Sequence, residues 1–491
     1  MEARTLQYIA QACAGELFTG QADAVVTRVC TDSRQAAPGD LFIALRGPNF
    51  DGHTYLADVA RRGVVAALVE RSSQPGPPLN MARIVVDDTR KALGRLAARY
   101  RQDFQMPAIA VGGSNGKSTT KELLASVLRQ RFPTLCSEAS FNNDIGVPLT
   151  LLQLQRQHQA AVLEVGTNHP GELAPLVAMI QPRFGVITSI GREHLEFFGD
   201  LDGVLEEEGT LAEMLPAEGQ LFLNTASESA GRLAPRTRAS VVRIGWGTGN
   251  DWSVVRTQVQ ERGTLFEAKA PGLDFSGEYE IRLLGRHQVL NALLAAAVGA
   301  ALGLTAAEVR RGLAQCRPLK MRLQLRETGG VRVLDDSYNA NADSVLAALQ
   351  TLSDLPCSGR RIAVLGDMAE LGVQSGPAHA EVGRRAAESG LSQLLAVGPM
   401  SRLTADAARR AGLREVSEFA SAAEATGALL RLVRPGDIVL LKGSRVAGLE
   451  RVGEALAPSL VSPSDAHGRP PSPRVAWAGA LPAAGQAQTS C

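Results

Sequence analysis

Short apolar runs alternate with polar, helix-patterned stretches along most of the chain. Near the N-terminus, the runs at residues 40–45 and 64–69 are separated by a turn-rich stretch at residues 46–52. Apolar runs of this length, bounded by Gly, Pro, Asn and Asp, are typical of strands in a mixed domain. The pattern predicts a small α/β domain over residues 1–103.

The central part of the chain shows the clearest order of strand, loop and helix. An apolar run at residues 108–111 leads into a glycine-rich turn, and residues 118–131 then carry apolar side chains at helical spacing. Further apolar runs at residues 160–163 and 186–190 alternate with polar or helical stretches. This βαβ rhythm predicts a mostly parallel sheet flanked by helices over residues 104–317.

A third set of apolar runs follows, separated by alanine-rich helical segments. The runs lie at residues 331–334, 361–365, 394–397 and 437–441. They predict a separate Rossmann-like domain over residues 318–460, so that the expected fold class is α/β with three domains. Residues 461–491 are rich in Pro, Ala, Gly and Ser, which predicts a disordered tail.

Composition narrows the class of function. The chain has 491 residues, 45% hydrophobic and 21% charged, which is ordinary globular usage and fits three domains. With 51 basic and 50 acidic residues, the net charge of +1 gives no field that would favour nucleic acid or an anionic membrane as the main partner. We therefore expect small-molecule chemistry.

Three features predict a cytoplasmic protein. The six cysteines are scattered without C-x-x-C spacing, which is typical of reduced thiols. The first residues lack the apolar stretch of a secretion signal. The longest apolar run, residues 292–304, is too short to span a bilayer, so it predicts a buried alanine-rich helix and no membrane insertion.

The sharpest local motif is the run Gly112-Gly-Ser-Asn-Gly-Lys-Ser118 between the predicted strand and helix. Backbone N–H groups of such a loop, together with the helix N-terminus, can cradle phosphates. Lys117 would reach the terminal phosphates and Ser118 would offer a hydroxyl to Mg²⁺. Val111 stands where the standard motif has its first glycine, and a turn that merely caps a helix is the alternative interpretation.

Two further polar residues follow strands of the same predicted sheet. Glu164 ends a buried apolar run, at the carboxyl edge where parallel sheets bind ligands, and is the first candidate for a Mg²⁺ ligand. A solvated strand-end carboxylate is the alternative. His194 follows the run at residues 186–190, where a functional role competes with a purely structural histidine.

Taken together, these motifs resemble the Mur ligases of peptidoglycan synthesis, whose phosphate loop has the same shortened form. The resemblance covers about residues 28–455 and rests on segments in all three predicted domains. Besides the phosphate loop, the segments are Thr31-Asp-Ser-Arg34, Asp51-Gly-His53, Phe141-Asn-Asn-Asp-Ile-Gly-Val-Pro-Leu-Thr150, Glu164-Val-Gly-Thr-Asn-His-Pro-Gly171, His194-Leu-Glu, Gly285-Arg-His-Gln-Val-Leu-Asn291, Met321-Arg-Leu-Gln, Asp335-Asp-Ser-Tyr-Asn-Ala-Asn341, Val364-Leu-Gly-Asp-Met-Ala-Glu-Leu-Gly372 and Lys442-Gly-Ser-Arg445.

Two segments, at residues 335–341 and 365–371, resemble in particular the family member that adds D-alanyl-D-alanine to UDP-N-acetylmuramoyl-tripeptide. The Asp-Asn-Pro-Arg motif usual in the sibling that adds the third amino acid does not occur in the sequence. The resemblance implies an ATP- and Mg²⁺-dependent amide-bond ligase that works through an acyl phosphate and gives the UDP-MurNAc-pentapeptide. It also implies an N-terminal domain that binds the UDP substrate, and we expect a monomer.

The resemblance carries site residues over position by position. The implied catalytic residues are Lys117, Glu164, His194 and Glu208, and the implied metal ligands are Ser118, Glu164 and His194. The implied ATP contacts are Gly113, Ser114, Asn115, Gly116, Lys117, Ser118, Thr119, Asn291, Arg322 and Asp336. The implied substrate contacts are Ser33, Arg34, Asn142, Asn143, Tyr338 and Asn339.

Three positions depart from the family pattern. Met321 stands where the family commonly has Gly, before Arg322. The segment at residues 224–227 reads Asn-Thr-Ala-Ser instead of Asn-Ala-Asp-Asp, so no acidic role is carried over there. Glu208 occupies the position of a carbamylated lysine.

The shorter side chain of Glu208 leaves several arrangements open. A water could bridge Glu208 to a second metal ion, the backbone could lie closer to the metal, or Glu206 or Glu207 could act instead. A solvated helix face at residues 206–208 is the alternative interpretation.

Two other functions compete with the dipeptide ligase. One is the same fold with another substrate, as in a different Mur ligase or a folylpolyglutamate synthetase, although the folate enzyme lacks the N-terminal Asp-Ser-Arg domain. The other is a non-enzymatic nucleotide switch. Substrate-dependent release of phosphate would distinguish an enzyme from a switch.

Overall fold

The computed structural model describes residues 1–73 and 80–459, and the tail predicted at residues 461–491 lies outside the described residues. Each of the three predicted α/β regions is built around one main sheet, which confirms the fold class. The exact domain limits at residues 103 and 317 stay predictions. None of the helices in the described ranges is long and apolar enough to cross a membrane.

The first region carries a five-stranded sheet in its described part, with the strand order β2-β7-β6-β5-β4, and a small β1–β3 pair. Its elements are β1 Arg4–Thr5, α1 Leu6–Cys13, β2 Glu16–Thr19, β3 Val25–Val26, β4 Arg28–Cys30, β5 Asp40–Ile43, α2 Leu56–Arg61, β6 Ala66–Glu70, β7 Ala82–Val86 and α3 Thr89–Arg101. Strands β4 to β7 run parallel, and β2 is antiparallel to β7. The loops after β4 and β5 therefore share one edge of the sheet.

The middle region holds the phosphate loop. Its elements are β8 Ala108–Gly112, α4 Lys117–Leu128, β9 Thr134–Cys136, α5 Gly146–Leu151, β10 Ala160–Glu164, α6 Leu173–Ile180, β11 Phe184–Ile187, α7 Leu195–Phe198, α8 Leu201–Glu213, β12 Gln220–Asn224, β13 Ser240–Trp246, β14 Trp252–Gln260, β15 Gly263–Lys269, β16 Gly277–Ile281, α9 Arg286–Ala301 and α10 Ala306–Gln315. The strand order is β9-β10-β8-β11-β12-β13-β14-β15-β16, parallel from β9 to β14 and antiparallel beyond. Parallel pairing brings the loops after β8, β10 and β11 together at one edge.

The third region repeats the pattern on a smaller scale. Its elements are β17 Gln324–Thr328, β18 Val331–Asp335, α11 Ala342–Asp354, β19 Arg361–Gly366, α12 Ser375–Glu388, β20 Gln393–Val397, α13 Ser401–Arg410, β21 Val416–Phe419, α14 Ala422–Leu432, β22 Ile438–Lys442 and α15 Glu450–Ser459. The order is β17-β18-β22-β19-β20-β21, with only β17 antiparallel among the strands described. This is the predicted Rossmann-like arrangement.

Local sequence explains where the key helices begin and end. The helix predicted at residues 118–131 begins at Lys117 and ends at Leu128, and residues 129–131 form turns before Pro133. Asn341 caps α11, where its side chain accepts from Ser344 N at 2.9 Å. The alanine-rich run predicted as a buried helix over residues 292–304 is buried up to Gly299 and helical up to Ala301, within α9, and residues 300–303 are not buried.

The first and middle regions meet through buried helices. Helix α3 packs on α5 and α6, and the hydroxyl of the fully buried Tyr100 donates to Leu154 O at 2.7 Å. The buried Arg101 donates from Nε to Ile180 O at 3.0 Å. Gly94 of α3 faces α6, where a Cβ atom would lie 3.1 Å from Met179 Cε and would require that side chain to shift slightly.

Candidate active site

A cleft of about 1670 Å³ lies at the carboxyl edge of the middle sheet and is lined by residues of all three regions. Most residues predicted from the sequence line it: Ser114, Asn115, Gly116, Lys117, Ser118, Thr119, Asn142, Asn143, Glu164, His194, Asn291, Arg322, Asp336, Tyr338 and Asn339. Gly113 belongs to the phosphate loop but does not line the cleft, Glu208 lies beneath the loop, and Ser33 and Arg34 lie elsewhere. The cleft therefore joins the predicted phosphate site to the predicted C-terminal contacts.

The phosphate loop requires its glycines. Gly113 and Gly116 have φ angles of 107° and 90°, where side chains other than hydrogen are strained. A Cβ atom at Gly113 would lie 2.6 Å from Thr188 Oγ1, and one at Gly116 would lie 2.7 Å from Asn291 Oδ1. The missing first glycine of the standard motif is harmless, because Val111 is an interior residue of β8 and fully buried.

Lys117 folds back over the loop that precedes it. Its Nζ atom donates to Gly113 O at 2.5 Å and lies 3.3 Å from Glu193 Oε2. Burial lowers the pKa of Lys117, but the carboxylates of Glu193, Glu208 and Glu164 outweigh it and raise the pKa overall. The lysine is therefore held as a cation against the phosphate loop, and its contact with terminal phosphates stays a prediction.

Three buried carboxylates near Lys117 each keep one oxygen without a hydrogen-bond partner. These oxygens are Glu164 Oε2, Glu193 Oε1 and Glu208 Oε1. Glu164 Oε1 accepts from Asn142 Nδ2 at 2.9 Å, which fixes the strand-end carboxylate next to the loop. Glu164 is 1% exposed, so the interpretation as a solvated carboxylate is wrong.

This donor set fits Mg²⁺ bound together with nucleotide phosphates. No three carboxylate, imidazole or thiol groups converge as a ready-made metal cage within the described ranges. Mg²⁺ characteristically takes one or two carboxylates and completes its shell with water and phosphate oxygens. Buried carboxylate oxygens without partners beside a phosphate loop meet that requirement, and Ser118, 3% exposed, lies in the same cleft.

Glu208 faces the phosphate loop from below. Its Oε2 accepts from Gly113 N at 2.6 Å. Burial raises the pKa of Glu208 to about 8, although Lys117 opposes the shift. A cation beside the free oxygen would favour the ionised form, as it does for any carboxyl group.

The neighbouring glutamates point elsewhere. Glu206 is exposed and pairs with Arg236 at 3.2 Å, and Glu207 binds the loop that follows β10. The interpretation of residues 206–208 as a solvated helix face is therefore correct for Glu206 only. It is wrong for Glu207 and Glu208, which are 8% and 1% exposed. The role of Glu208 toward a metal stays a prediction.

His194 lies at the start of α7 in the left-handed conformation, with φ 49°. Its Nδ1 atom is 2.5 Å from Glu370 Oε2, a carboxylate of the third region. Glu370 O also accepts from Glu196 N at 3.0 Å. The histidine therefore joins the middle sheet to the third region while its ring lines the cleft.

Arg322 and Asp336 bring the third region to the cleft. Arg322 Nη2 donates to Ser118 Oγ at 3.3 Å, and its guanidinium lies 4.2 Å from the centroid of the Tyr338 ring. Asp336 accepts from Lys442 Nζ at 2.7 Å. Met321, directly before Arg322, has φ 59°, a conformation that glycine adopts without strain. The glycine expected at this position therefore has a backbone reason, and this chain places a longer side chain there.

His287 at the start of α9 was not predicted. Burial lowers its pKa to about 4, so the imidazole is neutral. It lines the cleft together with Asn291, whose Nδ2 donates to Gln288 Oε1 at 2.9 Å.

Arg192 and Glu193 were also missed. Arg192 Nη1 lies 2.6 Å from Glu381 Oε2 and its Nη2 lies 2.6 Å from Asp343 Oδ1, both in the third region. Arg192 N donates to Asp343 Oδ2 at 2.8 Å. Only their position after a strand of the parallel sheet could have indicated these two residues.

The predicted substrate contacts in the first region lie at a separate edge. Ser33 and Arg34 follow β4, and the Arg34 side chain is 86% exposed and pairs with Asp32 at 2.8 Å. The loop after β5 at the same edge presents the exposed Phe50. Their substrate role stays a prediction.

Fold and cleft define a three-domain nucleotide-binding protein with a phosphate loop. Three family models match consecutive parts of the chain: "Mur ligase family, catalytic domain" at residues 25–101, "Mur ligase middle domain" at 111–299 and "Mur ligase, glutamate ligase domain" at 321–445. The chain belongs to the Mur ligase family.

Relatives share this organisation over nearly their whole length. The UDP-N-acetylmuramoyl-tripeptide–D-alanyl-D-alanine ligase of Escherichia coli is 35% identical, with 92% of this chain and 98% of that enzyme covered. The ligase of the same name from Bacillus subtilis is 33% identical, with 94% and 99% covered. A crystal structure of MurF from Acinetobacter baumannii matches with TM-score 0.85 and 33% identity over 93% of this chain and 99% of that chain. MurF from Thermotoga maritima in complex with ADP matches with TM-score 0.77 and 26% identity, covering 88% and 97%.

Proposed function

We propose that this chain is the ATP-dependent ligase that joins D-alanyl-D-alanine to UDP-N-acetylmuramoyl-tripeptide and gives the UDP-MurNAc-pentapeptide precursor of peptidoglycan. The observation that carries the proposal is the similarity to ligases of this name along 98% of the Escherichia coli enzyme. The single cleft that contains the phosphate loop, Glu164 and the C-terminal motifs supports it. ATP and Mg²⁺ are the cofactors.

The reaction consists of two steps. The terminal carboxylate of the tripeptide attacks the γ-phosphorus of ATP, and the bond to the bridging oxygen breaks to release ADP and an acyl phosphate. The amine of D-alanyl-D-alanine then attacks the acyl carbon, loses a proton and expels inorganic phosphate. Lys117, kept protonated by its raised pKa, places positive charge at the transferring phosphoryl group.

The remaining residues bind and orient the reactants. Ser118 and Glu164 would hold Mg²⁺, which when bound neutralises charge on the nucleotide phosphates. His194, and Glu208 directly or through water, are the candidates for a second ion. The phosphate loop, with Asn291, Arg322 and Asp336, binds ATP.

Substrate contacts extend across the three domains. Asn142, Asn143, Tyr338 and Asn339 face the reacting ends of the substrates, while Ser33 and Arg34 hold the uridine nucleotide. We expect the enzyme to act as a monomer in the cytoplasm, where reduced thiols such as the five described free cysteines persist.

Product mass tests the function directly. Purified protein receives ATP, Mg²⁺ and UDP-N-acetylmuramoyl-tripeptide with either lysine or diaminopimelate as third residue, and D-alanyl-D-alanine is compared with single amino acids. We expect the pentapeptide only with the dipeptide, together with one ADP and one phosphate per product. Product from a single amino acid, or a folate substrate accepted instead, would contradict the proposal. Phosphate release that does not depend on either substrate would indicate a nucleotide switch.

A further inference from the structure

Three consecutive glutamates on α8 lie in three different environments. Glu206 faces solvent and pairs with Arg236, whereas Glu207 and Glu208 are buried. Successive residues of a helix point about 100° apart, since 3.6 residues complete a turn. The three glutamate side chains therefore point in three directions. Glu206 faces solvent, Glu207 faces the loop after β10 and Glu208 faces the phosphate loop.

Glu207 binds the loop between β10 and α6, residues 165–172, which we call the β10 loop. Its Oε2 accepts from Gly171 N at 2.8 Å, and its Oε1 accepts from Leu173 N at 2.8 Å. The Thr167 hydroxyl lies 3.2 Å from Oε1 and 2.8 Å from His169 O, so it contacts both Glu207 and the main chain of the same loop. One carboxylate thus satisfies N–H groups at the start of α6 that have no partner within that helix, and it ties the two ends of the loop together.

The β10 loop lies between the phosphate loop and the first domain. Strand β10 is the immediate neighbour of β8, so the loops that follow these strands begin about 5 Å apart. Helix α6, which continues the β10 loop, packs on α3 of the first domain. Gly166, Thr167 and Asn168 line the same cleft as Arg90 and Lys91 of α3.

We propose that Glu207 is a positioning residue that holds the β10 loop as the wall along which the peptide arm of the UDP substrate lies. The proposal rests on the proposed function. A substrate anchored by its uridine nucleotide in the first domain must extend its terminal carboxylate to the phosphate loop, and the β10 loop lies along that path. Loss of the carboxylate should loosen the wall and leave the phosphate loop, which Glu208 holds, in place.

The matched variants are Glu207→Gln and Glu206→Gln, the same change one residue apart. A glutamine at position 207 keeps the volume but presents an NH₂ group to at least one backbone N–H donor. We expect KM for UDP-N-acetylmuramoyl-tripeptide to rise on the order of ten-fold, with kcat and KM for ATP within about two-fold. Glu206→Gln should leave every parameter unchanged.

Hydrogen exchange gives a readout that does not depend on activity. In Glu207→Gln the amides of Gly171 and Leu173 should lose protection, while the Gly113 amide should keep it.

Equal effects on KM for ATP and for the peptide substrate would overturn the proposal. An unchanged KM for the peptide substrate, although the amides of Gly171 and Leu173 had lost protection, would overturn it as well. If Glu207→Gln does not fold, Thr167→Val must give a smaller rise in the peptide KM alone, and no rise would overturn the proposal. A wild-type protein that makes no pentapeptide would instead refute the proposed function, and calorimetric binding of the UDP substrate would then compare the variants.

Discussion

The middle domain contacts the first domain through buried helices, and it contacts the third domain through ion pairs and hydrogen bonds beside a small group of buried apolar residues that includes Leu195 and Leu371. On one side, the buried Tyr100 and Arg101 donate to main-chain carbonyls beneath α3. On the other side, Arg192 lies between Asp343 and Glu381, and His194 contacts Glu370. These groups are partly exposed, since the Arg192 side chain is 29% and the Asp343 side chain 35% accessible.

The two junctions should differ in how much free energy it costs to open them. Separating the buried helices would expose their apolar surface to water, at a cost of about 25 cal/mol per Å². Partly exposed ion pairs exchange their partners for water at about 0–1 kcal/mol each. We therefore expect the first domain to stay fixed on the middle domain, while the third domain opens and closes over the cleft.

The largest effect is expected from Lys117→Ala, at the centre of the cleft that the moving domain covers. Removing this charge from the transferring phosphoryl group should lower kcat by about 10³ or more. Circular dichroism and melting should be close to wild type, because Lys117 supports neither domain junction. Near-normal turnover would refute the assignment of the phosphate loop.

Glu208→Ala should lower kcat by about 10² or more, because the Gly113 amide loses its buried acceptor and a carboxylate disappears from the metal region. Added bicarbonate should not restore turnover, since this chain has no lysine at position 208 to carbamylate. Steady-state kinetics with and without bicarbonate provide the check. Wild-type turnover would remove Glu208 from the site.

Arg322→Ala tests the moving side of the comparison. The arginine reaches Ser118 from the third domain, so its loss should lower kcat/KM for ATP by about 10². Affinity for the UDP substrate, measured by calorimetry, should stay within about three-fold. A selective loss of UDP-substrate affinity would place Arg322 in another site.

A smaller effect should follow Asp343→Asn, with Asp354→Asn as its control. Both aspartates lie on α11 and accept from an arginine of the middle domain, Arg192 and Arg286 respectively. Only the first pair adjoins Glu193 and His194, so Asp343→Asn should lower kcat/KM for ATP about ten-fold and Asp354→Asn about two-fold or less. Equal losses in both variants would show that the ion pairs only add general stability.

The smallest effect on activity should come from Tyr100→Phe, on the fixed side. The hydroxyl accepts from Glu2 N and donates to Leu154 O, so its removal should cost about 1–3 kcal/mol of unfolding free energy. Turnover and both KM values should not change. Denaturant titration and kinetics on the same preparation check this, and impaired ligation without loss of stability would contradict the account.

Local and periodic signals in the sequence were sufficient for the α/β class of the three regions, for the parallel strands β8, β10 and β11 and for the strand-end positions of the phosphate loop and Glu164. They did not indicate β9 or the strands from β12 to β16. The apolar run before Gly112 and the helical spacing after Lys117 depend only on neighbours along the chain. The Ala292–Gly299 part of α9 was likewise recognisable from its composition alone.

Residues whose role depends on distant partners could not be found in this way. Glu193 contacts Lys117, which is far away in sequence. Arg192 pairs with Asp343 and Glu381, which both belong to the third domain. The run Glu206-Glu-Glu208 is uniform in sequence, and only the packing of α8 decides which carboxylate is buried. Met321 adopts a left-handed conformation that its side chain does not favour, so propensity alone could not predict that turn.

Hydrogen exchange at the two junctions tests the central claim most directly. The amides of Arg192 and Glu196 donate across the polar junction to Asp343 and Glu370. At the buried junction the fully buried Leu154 lies beneath Tyr100, and its amide donates to Leu151 O. We predict that a non-hydrolysable ATP analogue with Mg²⁺ slows exchange at Arg192 and Glu196 about ten-fold or more and leaves Leu154, already protected, unchanged. Equal protection of all three amides without nucleotide, or a nucleotide response at Leu154 instead, would contradict a fixed first domain and a moving third domain.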